Sequence, residues 1–301
     1  MLEGDAILFW SAKRHGHAEL SNFYQSPFVG YRRRLDATTA QGAVLGEPDA
    51  YASVEHYFQS EKFRGSDDAW RRHILTLSTP KDAAAAGRDR SHPLRRDWDA
   101  RRDAVMRVAL WYKFTQNAAL TRVLLETAPY RLVEDSPLDA YWGWGADRRG
   151  ENRLGQLLME VRAKLAAPEK IERCIIAGGR GYTDYREGVA RLDALFQGRR
   201  PDEVISGNAA GADTVGEIWA LNRFVPVRHF PARWDDLEAP GAVVRERNGR
   251  RYNAVAGHQR NQQMADVATR LVVFWDGKSR GTRDMVQRAE AAKLPVDILR
   301  Y

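Results

Sequence analysis

Apolar side chains follow two different patterns along this chain, and the pattern changes near residue 168. In the first part they recur mainly at helical spacing, which predicts an α+β unit that is mostly helical. Helices are expected over 53–63, 67–75, 80–88, 98–114, 117–127 and 152–165, with short strands at 6–10 and 132–134. The charged stretch 32–50 is expected to be a loop. These elements define a predicted first domain over residues 1–166.

The second part alternates short apolar runs with helical segments. Strands are expected at 174–177, 203–205, 225–230, 271–275 and 295–299, and helices around 185–196, 211–221, 261–267 and 281–292. Several of these strands end in glycine, as at Gly178 and Gly207. Alternation of this kind is typical of a doubly wound parallel α/β sheet of the Rossmann-like type. The second domain is therefore predicted over 171–301, with 166–171 as a linker.

The segment from Ser53 to Phe63 carries a distinctive set of polar residues. Ser53 is placed to cap the helix, and Glu55, Gln59 and Lys62 fall on one face within roughly 60° of arc. Apolar and aromatic residues lie on both sides of that face. The pattern fits either a functional polar face or a solvated stripe of paired charges, and this segment alone leaves both open.

Composition narrows the class of protein. The 301 residues include 47 basic and 40 acidic ones, a net charge of +7, which is compatible with nucleic acid or phosphate ligands and equally with a solvated surface. No window has the ~18 apolar residues of a membrane helix, so no membrane partner is expected. One cysteine excludes an intramolecular disulfide. The first residues lack the pattern of a secretory leader, so a cytoplasmic location is expected.

The candidate chemistry of the first domain rests on carboxylates, one lysine and tryptophans. Histidines show no metal-ligand spacing, and neither a metal nor a cofactor is expected. Glu55, Asp139, Lys62, Trp98 and Trp142 are the residue types that cleavage of an N-glycosidic bond requires. A carboxylate can stabilise the oxocarbenium-like centre or position water, an acid can assist the leaving base, and an aromatic face can hold that base. A lysine of low pKa could instead attack the sugar C1′.

Several motifs of the first domain occur in the order found in the NADAR family. They are Leu20-Ser21-Asn22-Phe23, Pro27-Phe28, Ser53 to Phe63, Trp98, Lys113-Phe114, Gln116-Asn117, Glu134, Asp139, Trp142-Gly143, Gly145 and Asn152 to Gly155, followed by Leu158-Met159 and Arg162. The first domain thus resembles that family, whose members are N-glycosidases. Some act on early riboflavin-pathway intermediates, and others remove ADP-ribose from modified guanine in nucleic acid.

The resemblance implies roles for individual positions. Glu55, Trp98 and Asp139 match the family's active-site acids and tryptophan, and Lys62 matches a nucleophile or phosphate partner. The residues expected to line the pocket are Asn22, Gln59, Trp142, Asn152 and Arg162. Structural alternatives stay open for four of the residues, namely core packing for Trp98 and Trp142, helix capping for Asn152 and simple surface exposure for Arg162.

The ends of three predicted strands in the second domain carry glycine, hydroxyl and acidic residues, which indicates a phosphate-binding edge. The expected nucleotide-binding residues are Gly178, Gly179, Arg180, Ser206, Gly207, Gly211, Asp213, Arg260, Asn261, Gly281 and Thr282. In order and type they resemble the SLOG superfamily of Rossmann-like nucleotide sensors. Phosphoribohydrolases of that superfamily carry Pro-Gly-Gly-x-Gly-Thr-x-x-Glu, but Met285 stands at the place of the glutamate. This departure favours binding over catalysis, although Asp284 is one residue away.

The combined expectation is an N-glycosyl hydrolase joined to a nucleotide-binding domain. Asp139 or Glu55 would assist departure of the base, Lys62 or an activated water would take the anomeric carbon, and Trp98 would stack on the base. The expected partner is a nucleotide or ADP-ribose-type small molecule, with ADP-ribosylated DNA or RNA as an alternative substrate. Homo-oligomer formation through the second domain is a further hypothesis. The competing hypothesis is a non-catalytic sensor of nucleotides or NAD metabolites.

Overall fold

The computed structural model describes residues 2–10, 16–35 and 44–301. Proximity of Cα atoms divides the chain into two compact units. The first comprises Met1–Gly30 and Pro48–Lys170, and the second comprises Tyr31–Glu47 and Ile171–Tyr301.

The strands of the first half form two separate sheets. β1 (Leu2–Glu3), β2 (Ala6–Phe9) and a later strand at Arg131–Glu134 form one sheet, in which β2 pairs with the later strand in parallel. β3 (Phe28–Leu35) and β4 (Val44–Tyr51) form a separate two-stranded sheet. The strand at Arg131–Glu134 is β5.

The prediction of a loop over 32–50 is therefore wrong for most of the residues that the structure describes in this range. Residues 36–43 lie outside the described residues, but β3 and β4 occupy the flanking positions. Three consecutive arginines hid the strand, because strand pairing here is set by a partner that local sequence does not reveal.

Six helices follow in the first unit. They are α1 (Val54–Glu61), α2 (Asp68–Leu75), α3 (Pro80–Ala86), α4 (Trp98–Thr115), α5 (Ala118–Glu126) and α6 (Arg153–Leu165). The side chains of Ser53, Asp67, Thr79 and Asn117 each accept a backbone N–H at the start of a helix. These caps satisfy amides that the helix itself cannot pair, which fixes where α1, α2, α3 and α5 begin. The helices predicted from the sequence are confirmed.

Helix α1 lies at the centre of the first unit, and all eight of its residues are buried. It packs against α2, α3 and α4. On one side, Tyr57 joins an aromatic cluster with Phe28, Tyr51 and Tyr112, with ring centroids 4.8 to 6.3 Å apart. A helix buried all round normally carries apolar residues, because unpaired polar groups are costly there. The buried polar residues of α1 therefore need specific partners.

The last turn of α1 is held by a buried ion-pair network. Arg64 forms a two-pronged pair with Glu61, with both N···O distances 2.6 Å. Arg71 Nε lies 3.6 Å from Glu61, and Arg71 also pairs with Asp49 and donates to the Tyr51 hydroxyl at 3.0 Å. Burial opposes ionisation of Glu61, but the two arginines outweigh it, and the pKa of Glu61 is lowered. This network anchors the helix end next to Lys62.

The sheet of the second unit has five parallel strands. β6 (Arg173–Gly178), β7 (Glu203–Ser206) and β8 (Val227–His229) precede a separate hairpin of β9 (Val244–Arg247) and β10 (Arg250–Asn253). β11 (Arg270–Trp275) and β12 (Val296–Arg300) complete the sheet in the order β12-β11-β6-β7-β8. The order reverses between β6 and β11, where ligands bind in such sheets. The predicted α/β Rossmann-like fold is confirmed.

Four helices connect these strands: α7 (Tyr185–Phe196), α8 (Ala212–Arg223), α9 (Ala256–Val267) and α10 (Arg280–Ala291). The β9–β10 hairpin was not predicted. Its signal is the Asn248-Gly249 pair, whose positive φ angles of 53° and 73° suit a two-residue hairpin turn. Across the described ranges, the structure holds no helix with the length and apolar character needed to cross a membrane.

Candidate active site

The polar face of α1 is organised around Glu55. Gln59 donates to its carboxylate at 2.6 Å, and the backbone N–H of Glu55 donates to the carbonyl of Asn22 at 3.1 Å. Only 6% of Glu55 is exposed. Burial raises the pKa of Glu55, against the opposing effects of Gln59 and Lys62. The carboxyl group is thus a weaker acid than usual.

Lys62 lies one residue beyond the end of α1 and is half-buried. Its ammonium donates to the carbonyl of Gly87 at 3.1 Å. Burial lowers the pKa of Lys62 to about 8, with Glu55 opposing and Arg90 and Arg88 adding to the effect. A lysine with this pKa presents a substantial fraction of neutral amine at physiological pH, and a neutral amine is a nucleophile.

Trp98 lies beside this lysine, and Phe58 contacts both Trp98 and Trp142. The ring of Phe58 packs edge-on against Trp98 at 4.9 Å and against Trp142 at 5.4 Å between centroids. Lys62 Nζ lies 5.7 Å from the centroids of both Phe58 and Trp98. Both tryptophans are half-buried, so part of each indole remains accessible. The site thus combines an amine of lowered pKa with aromatic surface of the kind that stacks on a base.

Asp139 fixes the loop that carries Trp142. One of its carboxylate oxygens accepts the N–H groups of Tyr141 at 2.9 Å and Trp142 at 2.7 Å. Burial is the main cause of the raised pKa of Glu55, and the negative charge of Asp139 adds to it. Asp139 therefore has a structural task as well as a place in the site.

Glu134, the last residue of β5, is a site residue that the sequence-based selection missed. Burial, followed by the charges of Asp139 and Glu55, raises its pKa to about 8. Within the described residues its carboxyl group forms no hydrogen bond or ion pair. Three carboxyl groups thus share one region, and Glu134 holds a proton at neutral pH. Its motif context was visible, but nothing in the sequence showed that its side chain is buried beside two other acids.

Two buried amide side chains in this region have unused oxygens. Asn22 is 8% exposed and Gln59 is 6% exposed. Neither Asn22 Oδ1 nor Gln59 Oε1 has a hydrogen-bond partner within the described chain. Buried carbonyl oxygens of this kind normally find a donor, and the described chain supplies none to either of them.

The segment after α3 was also missed. A methyl group on Gly87 would lie 1.8 Å from Gln59 Oε1, so only glycine leaves space there. The next residue, Arg88, is exposed and influences the pKa values of both Glu55 and Lys62, and Arg90, also exposed, influences that of Lys62. Neither guanidinium is paired with a described residue. Two free cations therefore flank the lysine.

Two predicted pocket residues have other contacts. Asn152 donates to the carbonyl of Leu132 at 2.9 Å and accepts the N–H of Glu134 at 3.0 Å, which ties α6 to β5. Arg162 donates to Thr127 and to the carbonyl of Tyr130, both at 2.8 Å. Within the described residues, no hydrogen bond, ion pair or ring contact joins Arg162 to Glu55, Lys62 or Trp98.

The second unit contains a cavity of about 400 Å³ at the carboxyl ends of β6 and β11, a volume within the range of small-molecule sites. Of the predicted residues, those lining it are Gly178, Arg180, Asp213, Arg260, Asn261, Gly281 and Thr282. It is also lined by Trp234, His258 and Ser279, which the sequence-based selection left out. Trp234 is 41% exposed and offers a stacking surface.

The remaining predicted residues, Gly179, Ser206, Gly207 and Gly211, are not among those that line the cavity. Ser206 is buried and donates to Glu217 at 2.5 Å, and Gly207 donates to Asp213 at 3.1 Å. Gly211 has a φ of 79°, and a side chain there would collide with the carbonyl of Gly179 at 2.3 Å. The chain turns here are thus set by glycine.

Asp213 is a loop organiser. Its carboxylate accepts N–H groups from Gly207, Ala209 and Gly178, and burial raises its pKa although Arg260 opposes this. Arg260 itself donates to the Gly207 carbonyl. Met285 is buried in the core cluster with Met264 and also lines the cavity.

Family models match both parts of the chain. The family model of the NADAR domain matches residues 8–166, and that of the YspA, cpYpsA-related SLOG family matches residues 172–236. Both resemblances drawn from the sequence are confirmed by these matches.

Individual relatives cover the first unit. The chain is 41% identical over 162 residues to N-glycosidase YbiA of Escherichia coli (strain K12), covering 54% of this chain and 90% of the relative. It is 46% identical over 116 residues to N-glycosidase Npun_R5314 of Nostoc punctiforme, covering 38% of this chain and 74% of the relative. It is 38% identical over 128 residues to the riboflavin biosynthesis protein PYRR, chloroplastic, of Zea mays, covering 40% of this chain and 20% of that protein. The NMR structure of E. coli YbiA matches with 40% identity and a TM-score of 0.45, covering 56% of this chain and 89% of the YbiA chain.

Proposed function

Because the chain belongs to the NADAR family, we propose that its first unit hydrolyses the N-glycosidic bond of ADP-ribosylated guanine in nucleic acid. The relatives named N-glycosidase support N-glycosyl hydrolase activity in general. The substrate is our proposal. The observation that carries the enzymatic reading is the burial of Lys62 beside Trp98, which lowers the lysine pKa to about 8 although Glu55 opposes this.

The reaction begins with neutral Lys62 and protonated Glu134. Lys62 Nζ attacks C1′ of the ribose, and the electron pair of the C1′–N bond leaves with the base nitrogen. That nitrogen takes the proton of Glu134, and Glu55 takes the proton that Nζ releases. The sugar ring then opens to an iminium between C1′ and Nζ, and O4′ recovers the proton from Glu55.

Water completes the cycle. It adds to C1′, and its proton returns to Glu134. The resulting carbinolamine transfers its hydroxyl proton to Nζ and collapses, which releases the free sugar and the neutral lysine. Trp98 and Trp142 hold the base, and the oxygens of Asn22 and Gln59 accept hydrogen bonds from ligand N–H or O–H groups.

Arg88 and Arg90 support a diphosphate-bearing substrate. Both are exposed, both lie close enough to Lys62 to lower its pKa, and neither is paired with a described residue. Two free guanidinium groups suit the two phosphates of ADP-ribose, because arginine binds phosphate in a two-pronged manner. The second candidate substrate is a riboflavin-pathway intermediate, favoured by the similarity to the Zea mays riboflavin biosynthesis protein.

A direct test is incubation of the full chain with an ADP-ribosylated guanine oligonucleotide and, separately, with early riboflavin-pathway intermediates. Mass spectrometry of the products should show release of ADP-ribose and restoration of the unmodified oligonucleotide. Cleavage of the intermediates alone would replace the proposed substrate by the second candidate. No product from either would support the non-catalytic sensor.

The pH dependence of the reaction follows from two pKa values. Lys62 must be neutral to attack, so activity should rise with pH up to about 8; Glu134 must be protonated to donate, so activity should fall above about 8. We expect a bell-shaped profile of kcat/KM between about pH 6 and about pH 10. In Glu134→Gln the alkaline fall should disappear while the acidic rise remains. A profile that is flat across this range would contradict both assignments.

We propose further that the second unit binds a nucleotide or ADP-ribose-like ligand in its cavity and does not cleave it. Support comes from the cationic Arg180 and Arg260, the stacking surface of Trp234 and the N-terminal residues of α10 at the same cavity. The apolar Met285 lines the cavity at the place of the hydrolytic glutamate, and the carboxylate of Asp213, which also lines it, is engaged by backbone N–H groups of the loop.

Substitution of Arg180 tests this second site. Arg180 is exposed at the cavity and is free of partners among the described residues, so Arg180→Gln should fold normally. Loss of a charge-assisted contact should weaken binding of ADP-ribose by about tenfold, measured by isothermal titration calorimetry. Arg186→Gln, an exposed arginine outside the cavity, is the matched control. Equal affinities of wild type and both variants would exclude Arg180 from the site.

A further inference from the structure

The β9–β10 hairpin has one strongly basic face. Its register places Arg247 opposite Arg250, Glu246 opposite Arg251 and Tyr252 opposite Arg245. Opposite residues share a face and successive residues alternate between faces. One face therefore carries Arg245, Arg247, Arg250 and Tyr252, with no acidic residue among them.

These arginines are unneutralised. All four residues of β9 are exposed, as is Arg250. Within the described chain, none of Arg245, Arg247 and Arg250 forms an ion pair or a side-chain hydrogen bond. Like charges directly opposite one another destabilise a strand pair, so the Arg247–Arg250 pairing opposes hairpin formation. A polyanion lying on this face would remove that repulsion.

The hairpin is nevertheless held firmly at its base. The fully buried Asn253 donates its backbone N–H to the Trp234 carbonyl at 2.8 Å and its side-chain amide to Gln259 at 2.9 Å. Its side-chain oxygen accepts N–H groups from Val243 and Val255. The Asn248-Gly249 turn fixes the other end. The basic face is thus presented in a set geometry, which lowers the entropic cost of binding.

We propose that this face binds the phosphate backbone of a nucleic acid. All three cations are arginines, the side chain best suited to two-pronged phosphate contacts. Tyr252 on the same face can stack on a base, and a two-stranded ribbon has the width that the major groove of DNA admits. The face lacks the apolar side chains that would insert into a lipid surface. The inference rests on the proposed function only to the extent that an N-glycosidase acting on modified guanine in nucleic acid must bind a polynucleotide.

The test is fluorescence anisotropy of the full chain with labelled, unmodified single-stranded DNA, single-stranded RNA and duplex DNA at several salt concentrations. Wild type should bind at least one of them, with affinity that falls steeply with salt. The triple variant Arg245→Ser, Arg247→Ser, Arg250→Ser should bind about tenfold or more weakly, and its salt slope should be smaller by about three. Because no glycosidic bond is cleaved, the result is separate from that of the activity assay.

Two further variants distinguish loss of this specific surface from a change in net charge and from a loss of hairpin folding. Arg122→Ser, Arg186→Ser, Arg199→Ser removes three exposed arginines that are also free of ion pairs within the described chain, and it should bind like wild type. Arg247→Glu places an acid opposite Arg250, which should stabilise the hairpin while weakening nucleic-acid binding. Equal weakening by both triple variants, wild-type binding by Arg247→Glu, or binding to anionic vesicles without binding to any oligonucleotide would overturn the proposal.

Discussion

Lys62→Ala is expected to lower kcat/KM for the N-glycosidic substrate by about 10³-fold or more, because it removes the proposed nucleophile. The side chain is half-buried and its ammonium makes one hydrogen bond, to the carbonyl of Gly87, so the fold should survive. Lys62→Arg should be similarly inactive, since a guanidinium keeps its charge and cannot attack C1′. Lys81→Ala, at an exposed lysine of α3, should leave the rate unchanged.

Borohydride distinguishes attack by Lys62 from attack by an activated water. With wild type and substrate, reduction of the iminium should leave the sugar fragment covalently attached at Lys62, visible by peptide mass spectrometry. The Glu134→Gln variant should trap more slowly, because the leaving base then lacks its acid. If full activity persists in Lys62→Ala, or if wild type turns over without any trapped adduct, a water mechanism replaces the one proposed.

The polar face of α1 could be predicted because it depends on local spacing. Ser53 caps the helix, and Glu55, Gln59 and Lys62 follow at intervals that any helix brings to one side. The spacing could not show how deeply the helix is buried. The sequence allowed a solvated stripe, whereas the structure buries the helix on all sides, and that burial shifts the pKa values of Glu55 and Lys62.

Residues whose place depends on distant chain segments were harder to predict. Glu134 acquires its high pKa from burial beside Asp139 and Glu55, and the latter is far away in sequence. Asn152 matches a family motif, but its side-chain amide forms hydrogen bonds with the backbone of β5. A motif fixes residue type and order, while the direction of a side chain depends on tertiary packing.

In the second unit, too, features set by local sequence could be predicted and features set by distant segments could not. Glycine after parallel strands located the cavity, since strand ends and helix starts are encoded locally. Trp234 belongs to the Pro231–Trp234 motif of the resemblance, but nothing in the sequence showed that its ring lines the cavity, and His258 lies just before the motif that begins at Arg260. The β9–β10 hairpin lies beyond the segment matched by the SLOG family model, which ends at residue 236. Its Asn248-Gly249 turn was readable, but the exposed charged strands lack the apolar alternation that marks a half-buried strand.

Arg71→Ala should give the largest loss of stability, about 3–5 kcal/mol, because it breaks a buried ion pair by removing one partner. Arg71 is 3% exposed and lies between Asp49 and Glu61. Its loss leaves the buried carboxylate of Asp49 without this cation and removes one of the cations that lower the pKa of Glu61. Urea unfolding followed by tryptophan fluorescence measures the change. The neighbouring Arg72→Ala, at an exposed position of the same helix, should stay within about 0.5 kcal/mol of wild type.

A second comparison separates the charge effect from lost packing. Arg71→Met with Asp49→Asn removes both charges of the pair and keeps most of the side-chain volume, so it should recover part of the stability lost in Arg71→Ala. If the network only anchors the end of α1, the folded variants should keep the pH profile set by Lys62 and Glu134. A change in that profile at a temperature where the variant is fully folded would instead show that the network controls the electrostatics of Lys62, one residue beyond Glu61.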